Sequence, residues 1–385
     1  MPKTQYKKGN KKVLRAWAFY DWANSVYALV ISTAIFPLYF GSLFEDNQYV
    51  EVFGINYKNT ALIQHTSTLV FTCLAILIPI LSGIADHKKN KVSFLKFFCY
   101  LGSFCCIGLY FFTIENIYLG LFFYFFALFS FWASLVFYNS YLPEIAFPHQ
   151  QDRISALGFS YGYVGSVLLL LINLMMVLFP MTFGFEDTIE PMKISFIMVG
   201  LWWAGFSQYT FHYLPKKQIQ FPKKDILKKS ILFGGFYQLK NVWKLVKKQE
   251  SIKKFLLAFF VFSCALQTII LIATYFGEQE IIWREGEKQI GLIISTLLIQ
   301  LIAIIGAIYT AKLSEKIGNI QTLIFLNIFW FILCVGGYFI KYSYEFYVVA
   351  AFVGLVMGGI QALSRSTYSI LIPVTENTGS YFSFY

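Results

Sequence analysis

The chain has 385 residues, of which 57% are hydrophobic and only 13% are charged, and its mean hydropathy is +0.60. Soluble domains carry about 25% charged residues, so a chain this apolar cannot cover a water-facing surface. The net charge of +11 falls mainly in the segments between apolar stretches, without the interleaved aromatic residues of a single-strand-binding groove, so no nucleic acid is expected as a partner.

Ten apolar stretches follow one another along the chain, each close to the roughly 20 residues that a helix needs to cross a bilayer. Backbone groups cannot stay unpaired in hydrocarbon, and barrel strands would be about half as long, so the stretches predict an all-α, polytopic membrane fold. We number them spans 1 to 10: 17–44, 61–84, 92–112, 117–141, 154–180, 192–213, 255–276, 290–311, 322–340 and 346–372.

The segments between the spans alternate in charge. The N-terminal arm and the segment after span 2 are basic, with Lys3, Lys7, Lys8, Lys11, Lys12, Arg15, Lys88, Lys89 and Lys91. The segments after spans 1, 5 and 7 are acidic, with Glu45, Asp46, Glu51, Glu186, Asp187, Glu190, Glu278, Glu280, Glu285 and Glu287. Because Lys and Arg remain on the cytoplasmic side, we expect a multi-pass protein of the cell (plasma or inner) membrane with a cytoplasmic N-terminus.

Enzyme and metal chemistry have no support in the sequence. The six cysteines lie within spans without a C-x-x-C pair, and the four histidines are scattered, so no metal site is predicted. No nucleophile and base stand at a usual spacing, and no filter loop or charged ring appears. We therefore expect neither an enzyme nor a channel, and no cofactor.

A polar stretch, residues 215–254, divides six spans from four. It carries twelve lysines against Asp225 and Glu250. Apolar residues at helical spacing between the lysines predict an interfacial helix lying on anionic lipid headgroups; a calmodulin-like target helix is the alternative. The predicted organisation is a six-helix bundle over 1–214, a basic linker over 215–254 and a second, incomplete bundle over 255–385.

The two parts repeat each other. Asp86 and Glu315 follow spans 2 and 8 and are 229 residues apart, while Pro143 and Pro373 end spans 4 and 10 and are 230 apart. Parallel halves of this kind are the plan of the major facilitator superfamily.

The segments around the two acids resemble that superfamily's loop motif, G-x-x-x-D-[RK]-x-G-[RK]-[RK]. The resemblance implies that Asp86 and Lys88 in one loop, and Glu315 and Lys316 in the other, form gating contacts that hold the cytoplasmic side shut. Turn acids that merely cap helix ends are the alternative.

A closer resemblance lies in span 1, where residues 20–27 read Tyr-Asp-Trp-Ala-Asn-Ser-Val-Tyr. This segment resembles the Y-D-W-A-N-S-x-Y motif of the vacuole-effluxer-like family, also called the unknown major facilitator family. The resemblance extends through 139–145, 162–165, Gln267–Thr268 and 358–366. The family's fungal members are linked to amino-acid export, so amino-acid efflux is what the resemblance implies. Cys264 stands where many members carry an acid.

Polar side chains on spans 1, 4, 7 and 10 are the candidate transport residues, because those helices line the central cavity in this superfamily. A charge in the bilayer core costs about 2.5 to 3.5 kcal/mol, so we expect Asp21 and Arg365, which lie at similar depth, to have a specific role there. Three roles are open for this pair. It forms an inner gate, or Asp21 binds a proton or a substrate amine while Arg365 binds a carboxylate, or the two residues form a fixed structural ion pair. The other candidates are Asn24, Tyr27, Asn139, Gln267 and Gln361.

We therefore expect a monomeric secondary transporter that moves a small solute by alternating access, with amino-acid efflux and proton coupling as hypotheses. A membrane receptor, or an embedded enzyme using the same cavity, is the alternative. Two spans follow Pro143, but only twelve residues follow Pro373, so we also expect that the last two helices of a twelve-helix bundle are missing.

Overall fold

The computed structural model describes residues 7–44, 49–52, 54–215 and 231–385. Long helices make up most of it, with the short turns 109–111, 142–145 and 180–183 between them. The helices and strands, in chain order, are α1 (Lys11–Ser42), β1 (Tyr49–Val52), β2 (Ile55–Lys58), α2 (Asn59–Lys88), α3 (Lys91–Gly108), α4 (Ile117–Asn139), α5 (Pro148–Leu178), α6 (Ile189–Tyr213), α7 (Ile231–Lys248), α8 (Glu250–Gln279), α9 (Lys288–Ile317), α10 (Asn319–Gly337), α11 (Ser343–Leu371) and α12 (Thr378–Phe382). Spans 1 to 6 are α1 to α6, and spans 7 to 10 are α8 to α11.

Nine helical segments among the described residues are long and apolar enough to cross a membrane. They are α1 to α5 and α8 to α11. The one predicted span outside these nine, span 6, is also a helix of 25 residues, α6, but Lys193, Gln208 and His212 make it less apolar. The polytopic all-α prediction is confirmed.

The first helix is not uniform. Residues Tyr27–Ile35 form a π-helix between the α-helical stretches Lys11–Val26 and Phe36–Ser42. A π-helix pairs residues five apart, so it shifts the side-chain faces of the helix that follows. The sequence predicted an ordinary helix here, because apolar periodicity does not separate the two hydrogen-bonding patterns.

A small hairpin follows α1, in the acidic segment after span 1. Strands β1 and β2 pair antiparallel, from Tyr49 opposite Lys58 to Val52 opposite Ile55. Gly54 in the turn has φ +75°, a conformation that favours glycine. The fold is thus helical apart from this one hairpin among the described residues.

The largest buried core belongs to helices α1 to α6, running from Val13 to Leu214. Helices α9 and α11 lie in close contact in the second half of the chain. A Cβ added at Gly354 would lie 2.3 Å from the Ile299 carbonyl oxygen, and one at Gly358 would lie 2.2 Å from that of Ala303. Glycine at these positions lets the two backbones approach.

The linker helix α7 packs against protein along one face. Gly235 lies against Gly83 of α2, and Val242 and Val246 are buried in a cluster that includes Tyr368. The lysines of α7 lie on the exposed side of the helix. Of the predicted 215–254 linker, residues 216–230 lie outside the described residues.

One end of the bundle is formed by the start of α1 at Lys11, the turn between α2 and α3 at residues 89–90, the start of α5 at Pro148 and the end of α9 at Ile317. The Gly9 N–H donates to the Ile145 carbonyl oxygen at 2.7 Å, and the Asn319 amide donates to Asp152 at 2.8 Å. We call this end the basic face.

Candidate functional site

A buried ion pair joins the two halves of the chain. Asp21 on α1 and Arg365 on α11 are 4% and 2% exposed, and Arg365 Nη1 lies 2.9 Å from Asp21 Oδ2. The Tyr138 hydroxyl donates to the same carboxylate oxygen at 2.9 Å. The two predicted charges therefore neutralise each other away from solvent.

The remaining donors of Arg365 are directed at Ser155 on α5. Arg365 Nε donates to Ser155 Oγ at 2.9 Å, and Nη2 donates to the Ser155 carbonyl oxygen at 2.8 Å. Ser155 Oγ in turn donates to the Ala362 carbonyl oxygen at 2.7 Å, one turn before Arg365 on α11. A lysine could not make this set of contacts, because it lacks the planar fork of donors.

Three aromatic rings from the first half surround the guanidinium. Its carbon lies 4.2 Å from the ring centroid of Phe159, 4.9 Å from that of Trp17 and 5.5 Å from that of Tyr138. Trp17 stacks on Tyr138 at 4.5 Å and donates its indole N–H to the Tyr138 carbonyl oxygen at 2.9 Å. Cation–π attraction is strongest when the cation is desolvated, so this pocket holds the buried charge of Arg365 well.

Helix α5 presents glycines to α1 at this level. A Cβ at Gly158 would lie 2.4 Å from Asp21 Oδ2, and one at Gly162 would lie 2.4 Å from Ser25 Oγ. These glycines permit close contact between the two helices, and Gly158 leaves space for the ion pair itself.

A second contact between the halves lies at the basic face, around Asp86. Asp86 Oδ2 accepts from the Ser380 N–H at 2.6 Å and from the Ser380 hydroxyl at 2.7 Å, and Oδ1 accepts from the Gly379 N–H at 3.2 Å. The acceptor is thus the end of α2, and the donors are the start of α12. Asp86 is 2% exposed.

Lys91 sits beneath this contact and is 1% exposed. Its ammonium lies 3.4 Å from Asp86 Oδ1 and 2.5 Å from Glu144 Oε1, and it donates to the Thr378 hydroxyl. Lys88, the predicted basic partner, is exposed. The buried cation of this network is therefore Lys91, because the turn at 89 and 90 directs the start of α3 toward α12.

The corresponding contact in the other half uses a different acid. Asp152 on α5 accepts from Ser314 Oγ at 3.1 Å and from Asn319 Nδ2 at 2.8 Å. Glu315 and Lys316, the predicted pair, are both exposed. The repeat register places Asp152 opposite residue 381, next to the Ser380 that binds Asp86, so the internal repeat carried a signal for Asp152.

The other predicted residues are not all at the ion pair. Tyr27 is fully buried within the first-half core, stacked on Phe131 at 4.8 Å. Gln361 accepts from the Tyr163 hydroxyl at 2.7 Å across the two halves. Gln267 on α8 is exposed.

Two predicted amides have polar atoms without partners. Asn24 is 1% exposed, and its Nδ2 has no hydrogen-bond partner among the described residues. The Oδ1 atom of the half-buried Asn139 likewise has none there. Buried polar atoms without partners are costly, so both are available to a polar ligand.

Comparison with known proteins agrees with this architecture. The family model described as "Vacuole effluxer Atg22 like" matches residues 9–385. An "Uncharacterized MFS-type transporter YxiO" of Bacillus subtilis (strain 168) is 29% identical over 373 residues, covering 96% of this chain and 83% of that protein. "Autophagy-related protein 22" of Pichia angusta is 25% identical over 409 residues, covering 92% of this chain and 70% of that protein.

Solved structures show the same fold. A crystal structure of the major facilitator transporter FucP in the outward conformation has a TM-score of 0.63 at 13% identity, covering 98% of this chain and 88% of that chain. The predicted family and the non-enzymatic class are confirmed. The chain belongs to the vacuole effluxer Atg22-like family and is a transporter of the major facilitator superfamily.

Proposed function

We propose that this transporter exports a small zwitterionic solute of the amino-acid class, coupled to protons, by alternating access. The observation that carries the proposal is the buried Asp21–Arg365 pair, because its two members come from different halves of the chain. An ion pair that only stabilised the fold could equally well lie within one half of the chain. A pair between halves must break if the halves separate at the basic face.

We propose that residues 1–214 and 255–385 move as two bundles joined by the 215–254 linker. The contacts of Arg365 with Asp21 and Ser155, of Asp86 with Ser380 and of Asp152 with Asn319 then act together as an inner gate. All three sets of contacts link one half to the other. The structure would accordingly represent a state closed at the basic face.

Opening this gate leaves two charges in need of partners. Removing one partner from a buried ion pair costs about 3 to 5 kcal/mol. Asp21 would avoid that cost by taking up a proton or the ammonium group of a solute, and Arg365 by binding a carboxylate. An amino acid supplies both groups, and the unpartnered amide atoms of Asn24 and Asn139 supply further polar contacts.

The charge distribution supports a cytoplasmic basic face and a place in the cell membrane. The basic face carries Lys11, Arg15, Lys88, Lys89 and Arg153, while Glu190, Glu278 and Glu287 lie in the segments at the opposite end. By the positive-inside rule the N-terminus is then cytoplasmic.

The exposed face of α7 supports contact with anionic lipid headgroups. Phe236, Tyr237 and Trp243 are 57%, 55% and 44% exposed, and Lys240 and Lys244 are exposed beside them. Aromatic and basic side chains on one helix face are typical of helices that lie on a membrane surface.

Transport by proteoliposomes tests the proposal. The purified chain is reconstituted and screened for uptake of labelled amino acids with and without a pH gradient, beside empty liposomes and the surface variant Lys253→Gln. We expect gradient-driven accumulation of at least one amino acid by both proteins. No uptake of any amino acid would refute the solute class, and accumulation that ignores the gradient would refute proton coupling. A ligand-binding receptor, the alternative, would bind solute without accumulating it.

A further inference from the structure

A groove at the basic face lies between the two halves of the chain and is distinct from the buried ion pair. It has a volume of about 980 Å³ and is lined by residues of α1, α5 and α9. Helices α1 and α5 belong to the first half, and α9 belongs to the second.

The rim of the groove is strongly cationic. Lys11, Arg15, Arg153 and Lys312 line it against a single carboxylate, Glu315. All five side chains are exposed. None of the four cations is in an ion pair within the part of the chain that the structure describes. Their positive charge is therefore available to an anion.

The inner wall of the groove is apolar. Its lining includes Leu14, Ile154, Leu157, Tyr161 and Ile308. Along α5 the lining runs from His149 to Tyr161, and the twelve helical rises of 1.5 Å between them make a length of about 18 Å. The cations of α5 and α9 lie nearer the helix ends than the apolar residues, so polarity falls from the basic face toward the membrane interior.

We propose that this groove binds an anionic phospholipid, with its phosphate among the four cations and an acyl chain along the apolar wall. Basic pockets between transmembrane helices are suited to such headgroups. Free phosphate would use the rim but leave the apolar wall uncovered, which is why the geometry points to a lipid.

The lipid would also connect the two halves. Arg153 belongs to the first half and follows Asp152 in the chain, and Lys312 belongs to the second half and lies two residues before Ser314. The Ser314 hydroxyl donates to Asp152 at 3.1 Å. A phosphate between Arg153 and Lys312 relieves the repulsion of like charges at this point. Bound lipid should thus stabilise the arrangement of the halves seen in this structure.

The test compares two double variants that remove the same charge from the same face. Arg153→Gln with Lys312→Gln changes the groove, whereas Lys12→Gln with Lys253→Gln changes exposed lysines outside it. Each protein in neutral detergent is titrated with phosphatidylglycerol, with phosphatidylcholine and with inorganic phosphate, while its thermal unfolding midpoint is followed.

We expect phosphatidylglycerol to raise the midpoint of the wild-type protein and of the control variant. A lipid contact is worth about fivefold in affinity per basic residue, so the groove variant should need about 25-fold more phosphatidylglycerol for the same rise. Equal losses in both double variants would show a general surface-charge effect and overturn the proposal. Equal stabilisation by phosphate or by phosphatidylcholine would overturn the choice of an anionic lipid. None of these readouts depends on transport, so a failed transport assay leaves this inference standing.

Discussion

Replacing Gly158 by alanine should open the inner gate without harming the fold. The added Cβ would lie 2.4 Å from Asp21 Oδ2, 2.9 Å from Arg365 Nη2 and 3.3 Å from the Tyr138 hydroxyl oxygen. Ordinary contacts begin at 3.4 Å, so the carboxylate must move by about 1 Å. Such a movement lengthens the 2.9 Å bond between Asp21 and Arg365.

The magnitude follows from the usual cost of one extra carbon in a packed interior, which is about 1 to 3 kcal/mol. Gly158 and Asp21 both belong to the first half, so the clash is relieved only where Asp21, released from Arg365, can turn aside. A cost of about 2 kcal/mol, present only while Asp21 is held at Arg365, changes the ratio of closed to open protein by about 30-fold. The higher helix propensity of alanine, about 1 kcal/mol, acts equally in both arrangements. It therefore does not affect their ratio.

Spin-label distances measure this shift. The exposed native cysteines are removed as Cys264→Ser and Cys334→Ser, and labels are introduced as Lys12→Cys and Lys316→Cys, one on each half. Gly158→Ala should add or enrich a longer distance across the basic face.

The matched control for this measurement is Gly205→Ala, because among the described residues no atom outside its own stretch of helix lies within 4 Å of its added Cβ. We expect it to keep the wild-type distance distribution. If both alanine variants give the same distribution, the ion pair does not hold the halves together and the gate proposal is refuted.

The remaining predictions concern individual charges. Asp21→Asn should abolish accumulation driven by a pH gradient in proteoliposomes while expression stays at the wild-type level, and retained accumulation would reduce Asp21 to a structural residue. Arg365→Lys should lower the transport rate at least about tenfold, since it forfeits the contacts to Ser155, each worth about 1.5 to 3 kcal/mol when one partner is charged. Wild-type transport by that variant would mean that the planar fork is not needed. Asp152→Asn should lower the thermal unfolding midpoint by several degrees, because Asp152 binds Ser314 and Asn319, whereas Glu315→Gln should leave the midpoint unchanged. A larger loss in Glu315→Gln than in Asp152→Asn would mean that Glu315, the acid that the loop motif implied, makes the stabilising contact.

Part of the site was predictable because a charge in a membrane span is conspicuous. Asp21 and Arg365 stand in apolar surroundings, and their similar depth is visible in the sequence. Ser155 and Phe159 were not found, because a serine and a phenylalanine in a membrane helix are unremarkable until the guanidinium lies against them. Their role depends on which face of α5 meets α11.

The gating loops show the same division. The motif identified Asp86, and the structure buries it against α12. It also suggested Lys88 and Glu315, which are exposed, whereas the buried Lys91 and the half-buried Asp152 make the contacts. Sequence spacing alone does not show which of several neighbouring charged residues points into the protein, because successive side chains along a helix differ in direction by about 100°.

The sequence by itself determined the membrane-spanning helical class and singled out Asp21 and Arg365 as charges within membrane spans, because each depends on transfer of chain segments or charges out of water and is almost independent of neighbours. Only the tertiary structure decided the pairing of Asp21 with Arg365, the π-helical stretch from Tyr27 to Ile35 and the hairpin after α1. These features depend on packing between segments distant in the chain, or on local hydrogen-bonding alternatives of similar energy that hydropathy does not distinguish.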